Sequence, residues 1–258
     1  MSPRKRIGVL ALARPTFDVP YAEEVAAAAM ETLVGLDVDL VGDAALLFDA
    51  ETTEVALERF EGVDLDALLL LQVSFTDSSM TEAIGARFDA PIIIWTFPEA
   101  RVGGRLRLNS FCGLNLAAYA LIKAGSDFDY VHRYAHDEAA VGDIERLLAG
   151  TIGQEPSKRR SAGATSAAAQ EAATGVVSVL AGTTIGVIGD RPVGFDPCGY
   201  DPETLLGVTG VTVERKELED LFGSAAATPI EIVSSTRERA VDRLCLLYTS
   251  PSPRDQRP

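Results

Sequence analysis

The sequence predicts an α/β protein made of two Rossmann-like, doubly wound parallel-sheet domains, the second of them incomplete. Three observations carry that expectation. Short apolar runs alternate with helical patterns through the first 150 residues, the signature of parallel strands joined by crossover helices. The run ALLLLQV at 67–73 has no polar alternation, as a strand covered on both faces should. The same alternation restarts near residue 183, but it yields only two convincing strands where such a sheet uses about four to six.

The elements follow in order. Residues 7–13 read as the first strand. Asp18, just ahead of Pro20, is placed to cap a helix, and Ala22, Val25, Ala26, Ala29 and Leu33 recur on it at helical spacing as one apolar stripe. A strand at 38–41 and a helix at 52–60 come next. Beyond the strand at 67–73, the pattern gives a helix over 79–88, a strand over 91–95, a helix over 111–123, a fifth strand at 127–131 and a helix over 138–148. The stretch TIGQEPSKRRSAGATSAAAQEAATG is small, polar and alanine-rich, which marks a boundary near 151–165 with a helix leading out of it. Lys158, Arg159 and Arg160 fit a solvated linker there. A strand at 183–188, a helix start at 202–206, a strand at 211–214, a helical turn at 218–222 and a helix over 234–244 complete the reading. The expected domains are therefore 1–155 and 183–246, with 156–182 as linker and connecting helix and 247–258 as a tail.

Composition narrows the partners. The formal net charge of −15 repels phosphate backbones and anionic lipid, which excludes nucleic acid and membrane surfaces as expected partners. No run approaches the roughly 20 apolar residues that cross a bilayer. The basic start MSPRKR precedes an apolar stretch that Arg14 and Pro15 interrupt, so it reads as a first strand and not as a signal peptide. Cys112, Cys198 and Cys245 form no CxxC pair, as expected of reduced thiols in a cytoplasm.

In an open parallel sheet, ligands bind beyond the carboxyl ends of the strands, where loops and helix N-termini converge. That edge collects Arg14 after the first strand, Gln72 and then Ser74, Thr76, Asp77 and Ser78 after the third, and Trp95 and Glu99 after the fourth. The loop behind adds Arg101, Arg105, Arg107, Asn109 and Ser110. An aromatic face, amides, hydroxyls and cations suit a polyhydroxylated ligand, because rings stack on C–H surfaces while polar groups satisfy hydroxyls. Simpler roles stand beside these. Asp77 or Ser78 caps a helix, Trp95 closes the core, and Arg105 and Arg107 alternate as on a hairpin with one solvated face. The loop GDRPVGFDPCGYD, which contains Arg191, is longer than the usual two to six residues of such a connection, and loops of that kind are commonly functional. His132 and His136 lack the glutamate of an HExxH site, and there is no GxxxxGK[ST], GxGxxG or GxSxG.

The segments IGVLALARPTFDVPYAEE, LLLLQVSFTDSS, PIIIWTFPE, NSFCGLNLAAYAL and IGVIGDRPVGFDPCGYD, in that order, resemble the amino-terminal half of the L-fucose and L-arabinose isomerase-like proteins. The resemblance implies an aldose–ketose isomerase with two Rossmann-like domains followed by a catalytic domain. It also implies a Mn²⁺ ion held by a Glu, an Asp and a His, and a trimer or hexamer in which the first domain lends residues to a neighbour's site. Arg14 and Trp95 match family residues that contact the sugar. The expected ligand is a monosaccharide, and the substrate-binding candidates are Arg14, Gln72, Trp95, Glu99, Asn109 and Arg191. No catalytic or metal-ligating residue is expected within this chain. A sugar-binding or sensing α/β module is the alternative.

The closing stretch LCLLYTSPSPRDQRP has three prolines and no periodicity, and it resembles translated adaptor sequence at the end of environmental reading frames. The expectation is an inactive amino-terminal fragment whose native sequence stops near residues 243–246.

Overall fold

The computed structural model describes residues 4–101, 104–150 and 166–243. These fall into two compact units, one of residues 4–150 with 192–199 and the other of 166–191 with 200–243. The boundary expected at 151–165, with its basic triplet, and the tail at 247–258 lie outside the described residues.

In the first unit, β1 (Lys5–Leu12), β2 (Val38–Leu47), β3 (Ala67–Gln72), β4 (Ile92–Thr96) and β5 (Phe128–His132) form one parallel sheet in the order β2-β1-β3-β4-β5. Among the described residues five helices cover it: α1 (Val19–Leu33), α2 (Ala50–Leu57), α3 (Ser79–Arg87), α4 (Ser110–Ala124) and α5 (Ala139–Ala149). Successive strand residues point to opposite faces, so each strand feeds two cores. Val9, Leu69, Leu71, Ile93 and Trp95 pack with α1 and α5, while Leu10, Leu68, Leu70, Ile92 and Ile94 pack with α3 and α4. All six residues of β3 are buried, which is why its sequence shows no alternation. Each such Leu or Ile contributes about 1.5–3 kcal/mol by leaving water.

The stripe of Ala22, Val25, Ala26, Ala29 and Leu33 is the buried face of α1, and Asp18 caps that helix by accepting the Tyr21 amide. β2 runs further than its apolar core of 38–41, because a bulge carries it on to Leu47 alongside the end of β1. Gly42 makes the bulge possible. Its φ of +115° suits glycine, and a Cβ there would stand 2.3 Å from the carbonyl oxygen of Val9. No strand forms at 104–109, so the expected hairpin of Arg105 and Arg107 is replaced by an irregular loop. Its reason is pairing with other loops, since Arg107 bonds Asp18 and Arg105 donates to the Thr16 carbonyl.

The second unit contains α6 (Ala167–Leu180), β6 (Thr184–Ile188), α7 (Pro202–Thr209), β7 (Thr212–Lys216), α8 (Leu218–Ala227) and α9 (Ile230–Arg243). β6 and β7 pair in parallel as a two-stranded sheet, with Thr184 and Thr212 joined through their hydroxyls at 2.9 Å. The helical turn expected at 218–222 extends to a full helix, started by a capping box between Glu217 and Asp220. Among its described residues only Val211 is fully buried, and Ile188, Val208 and Phe222 are exposed. Two strands with no third among the described residues are marginal by themselves.

Candidate functional site

In the order β2-β1-β3-β4-β5 the chain winds outward in opposite directions from the β1/β3 junction, and the loops leaving those two strands part there to open a crevice. Arg14 stands in it. The backbone of Arg14 is held by its N–H, which donates to Ser74 Oγ at 2.9 Å across the junction. Its guanidinium lies 3.5 Å from Asp77 Oδ2, and both side chains are partly exposed, at 34% and 23%. The same guanidinium sits 5.7 Å from the centre of the Phe75 ring. Phe75 is flanked by Phe17 and Phe195, each with ring centres 5.8 Å from it.

Phe195 reaches this place because residues 192–199 belong to the first unit. Ser78 anchors them, donating both its N–H and its hydroxyl to the Gly194 carbonyl at 2.9 Å. Gly194 has φ +78°, and a Cβ would fall 2.6 Å from Asp77 Cγ, so only glycine admits the approach. Asp77 also accepts the Ser79 N–H through its other oxygen at 3.0 Å. The role expected for Asp77 at the head of a helix and a ligand-facing role thus coexist on one carboxylate. A half-exposed cation, a carboxylate and three aromatic rings form a rim able to stack on C–H faces and bond hydroxyls.

Gln72 is fully buried; its Nε2 donates to the Ser74 carbonyl at 2.7 Å and Thr76 Oγ1 at 3.0 Å, while its Oε1 has no partner among the described residues. It therefore fixes the turn that carries Ser74. Trp95 is 0% exposed, packs 5.2 Å from Phe97 and donates its indole N–H to the Arg133 carbonyl, so its ring faces the core in this arrangement. Glu99 accepts the backbone N–H groups of Arg107, Leu108 and Asn109. Its carboxylate is thereby spent on shaping the loop ahead of α4. Asn109, the residue before that helix, is left-handed at φ 52° and makes no side-chain cap bond. Arg191 falls in the second unit. Sequence reasoning singled out Arg14 but passed over Phe17, Phe75 and Phe195; the signal was VSFTD after β3, where an aromatic residue two positions ahead of an acid follows a fully buried strand.

Residues 8–151 match the fucose/sulfoquinovose isomerase N-terminal domain. The chain belongs to this family. Curated relatives agree with the assignment. A sulfoquinovose isomerase of Priestia megaterium is 28% identical over 229 residues, covering 89% of this chain and 46% of that protein. Another, from Clostridium sp. (strain MSTE9), is 26% identical over 251 residues, covering 96% and 50%. A third, from Alkalicoccus urumqiensis, is 30% identical over 170 residues, covering 64% and 32%. The chain thus spans about half the length, or less, of the curated relatives it matches. The match places Arg14 and the β1/β3 junction inside the family domain.

The metal implied by the family resemblance can be tested against the donor set. Among the described residues no group of three His, Cys, Asp or Glu side chains is arranged to hold an ion. His132 and His136 are engaged with Thr96 and stacked on Tyr134, respectively. No described helix is long and apolar enough to cross a membrane.

Proposed function

We propose that this chain supplies the sugar-contacting rim of an aldose–ketose isomerase that acts on sulfoquinovose. The reaction moves hydrogen from C2 to C1 as the carbonyl passes from C1 to C2. Arg14 donates to hydroxyl or sulfonate oxygens of the sugar, Asp77 accepts a hydrogen bond from a hydroxyl, and Phe75 with Phe17 and Phe195 offers faces for its C–H surface. The observation that carries the reading is the half-exposed Arg14, aimed at the family's own sheet edge and pinned by Ser74. The names of the relatives support the sugar class.

The donor set among the described residues does not fit the expected manganese ion, whose ligands lie outside them in this proposal. Turnover is then a property of the longer protein, which the proposal sets in the cytoplasm as a homo-oligomer, and this chain alone binds sugar without converting it.

Calorimetric titration of the 258-residue chain with sulfoquinovose tests the reading. Arg14→Ala should weaken binding about tenfold or more, the loss of one charge-assisted contact. Unchanged affinity in that variant would remove Arg14 from the site. Turnover by the chain supplied with manganese would refute the placing of the ligands. Sulfoquinovose binding tight enough to match a dedicated receptor would favour the sensing module instead.

A further inference from the structure

Beyond the ends of β4 and β5 lies a cleft of about 520 Å³, built from residues other than those of the Arg14 rim. Its walls are largely apolar, with Phe97, Leu106, Phe111 and Tyr134 among them. A mostly apolar concavity with a few convergent polar groups is the usual form of a small-molecule site.

Three side chains on this cleft keep a donor or acceptor without a partner among the described residues. His132 ends β5, with Nδ1 2.7 Å from Thr96 Oγ1 and its ring edge-on to Phe111 at 5.0 Å. Burial lowers its pKa from the ordinary 6.5, so the imidazole is neutral at pH 7, and Nε2 has no partner among the described residues. Asn109 precedes α4 but its carboxamide has no partner among the described residues, because the backbone is held by Glu99 and not by the side-chain cap typical of Asn. Arg101 also lines the cleft without a partner among the described residues. Its neighbours differ: Arg107 is tied to Asp18 at 2.8 Å, and Arg133 to Asp137 and Asp143.

Arg101 is exposed, and its guanidinium donors stand open to an anion arriving from solvent. The Glu99 carboxylate already fills the backbone donors at 107–109. A ligand anion must therefore be met by side chains. We propose that this cleft is a second binding site, taking a small organic anion with a flat apolar body and one carboxylate, sulfonate or phosphate head. Arg101 and the Asn109 amide hold the head, the His132 Nε2 accepts from a hydroxyl or amine on the body, and Phe111 and Tyr134 stack on its face.

The test uses the 258-residue chain with benzoate, benzenesulfonate and phenyl phosphate as probes and benzyl alcohol as the neutral control. Binding is read by calorimetry and by the His132 ring signals in NMR, and the ranking of the three anions identifies the head. At least one should bind, shift the His132 signals and exceed benzyl alcohol about tenfold. Arg101→Ala and Asn109→Gly should each weaken it about tenfold. Glycine takes φ 52° freely, so the second variant removes the amide while keeping the loop. Arg14→Ala should leave this binding intact, which separates failure here from failure of the sugar reading. The proposal is overturned if no anion binds, if benzyl alcohol binds as well, or if either variant binds as tightly as the parent chain.

Discussion

Replacing Gly113 by alanine tests how the rim is held. Gly113 lies in α4, buried against β3, and a Cβ there would stand 2.7 Å from Gln72 Nε2, 3.0 Å from Cδ and 3.2 Å from Cγ. A flexible side chain would yield to such a contact, but Gln72 is pinned. Its Nε2 bonds Ser74 and Thr76, and Ser110 bonds its carbonyl. Yielding therefore breaks one or two buried hydrogen bonds, about 1–3 kcal/mol when a group is left unsatisfied, or leaves an overpacked core at about 1–3 kcal/mol. Helix propensity works the other way by about 1 kcal/mol. The net expectation is a loss of about 2 kcal/mol. Urea unfolding followed by Trp95 fluorescence reads it cleanly, because Trp95 is the single tryptophan, buried in the first unit. With a slope of about 2 kcal/mol/M the midpoint should fall by about 1 M. Because Gln72 fixes the turn bearing Ser74, which holds Arg14, sugar affinity should fall too. An unchanged or raised midpoint would show that propensity outweighs the contact, and would refute the claim that Gln72 is immobile.

Gly42→Ala should be more damaging, by about 3 kcal/mol or more, since the new Cβ meets a backbone oxygen at 2.3 Å and φ is +115°; the same fluorescence midpoint checks it. The pH dependence of stability should carry a mark of His132. Its folded pKa lies below its unfolded value near 6.5, so within that window the unfolded chain binds more protons and stability rises with pH. Acidification from pH 7 through that window should therefore cost the parent chain more than His132→Gln, measured by urea midpoints at each pH. Asp18 behaves with the opposite cause and the same direction. Its hydrogen bond from Arg107 lowers its pKa from 3.8, so the stability it adds is present above that value and is lost as pH falls further; Asp18→Asn should flatten the curve below pH 4.

The sheet was legible because its signals are local. Runs such as ALLLLQ and the α1 stripe state their own burial, and the structure reproduces them within a residue or two. The extension of β2 was not legible, since residues 43–47 gain strand geometry only from the neighbouring end of β1. The hairpin expectation at Arg105 and Arg107 failed for a related reason. Alternation of two arginines cannot reveal that Asp18 and Tyr21, 86 or more positions earlier, would claim one of them, with Arg107 3.7 Å over the Tyr21 ring. At the rim, Arg14 was visible as a charge following a buried strand. The return of Phe195 to Phe75 across 120 positions left no trace that spacing could show beyond the unusual length of its loop.

The strength of the Arg14–Asp77 pair bears on whether the rim can work. At 3.5 Å and an effective dielectric near 20 the gross attraction is about 5 kcal/mol. Both groups are partly in water, so desolvation and side-chain entropy reduce the net value to about 1 kcal/mol or less. A sugar oxygen gaining a charge-assisted hydrogen bond offers about 1.5–3 kcal/mol. The ligand can therefore draw the guanidinium from its partner. Ser74 meanwhile holds the Arg14 backbone and Ser79 holds the other Asp77 oxygen, so neither group drifts when the pair opens. A tighter pair, such as Arg133 with its two aspartates, would resist that exchange. A weak partner on a fixed scaffold keeps the cation both aimed and available, and that is the condition under which Arg14 can meet a sugar.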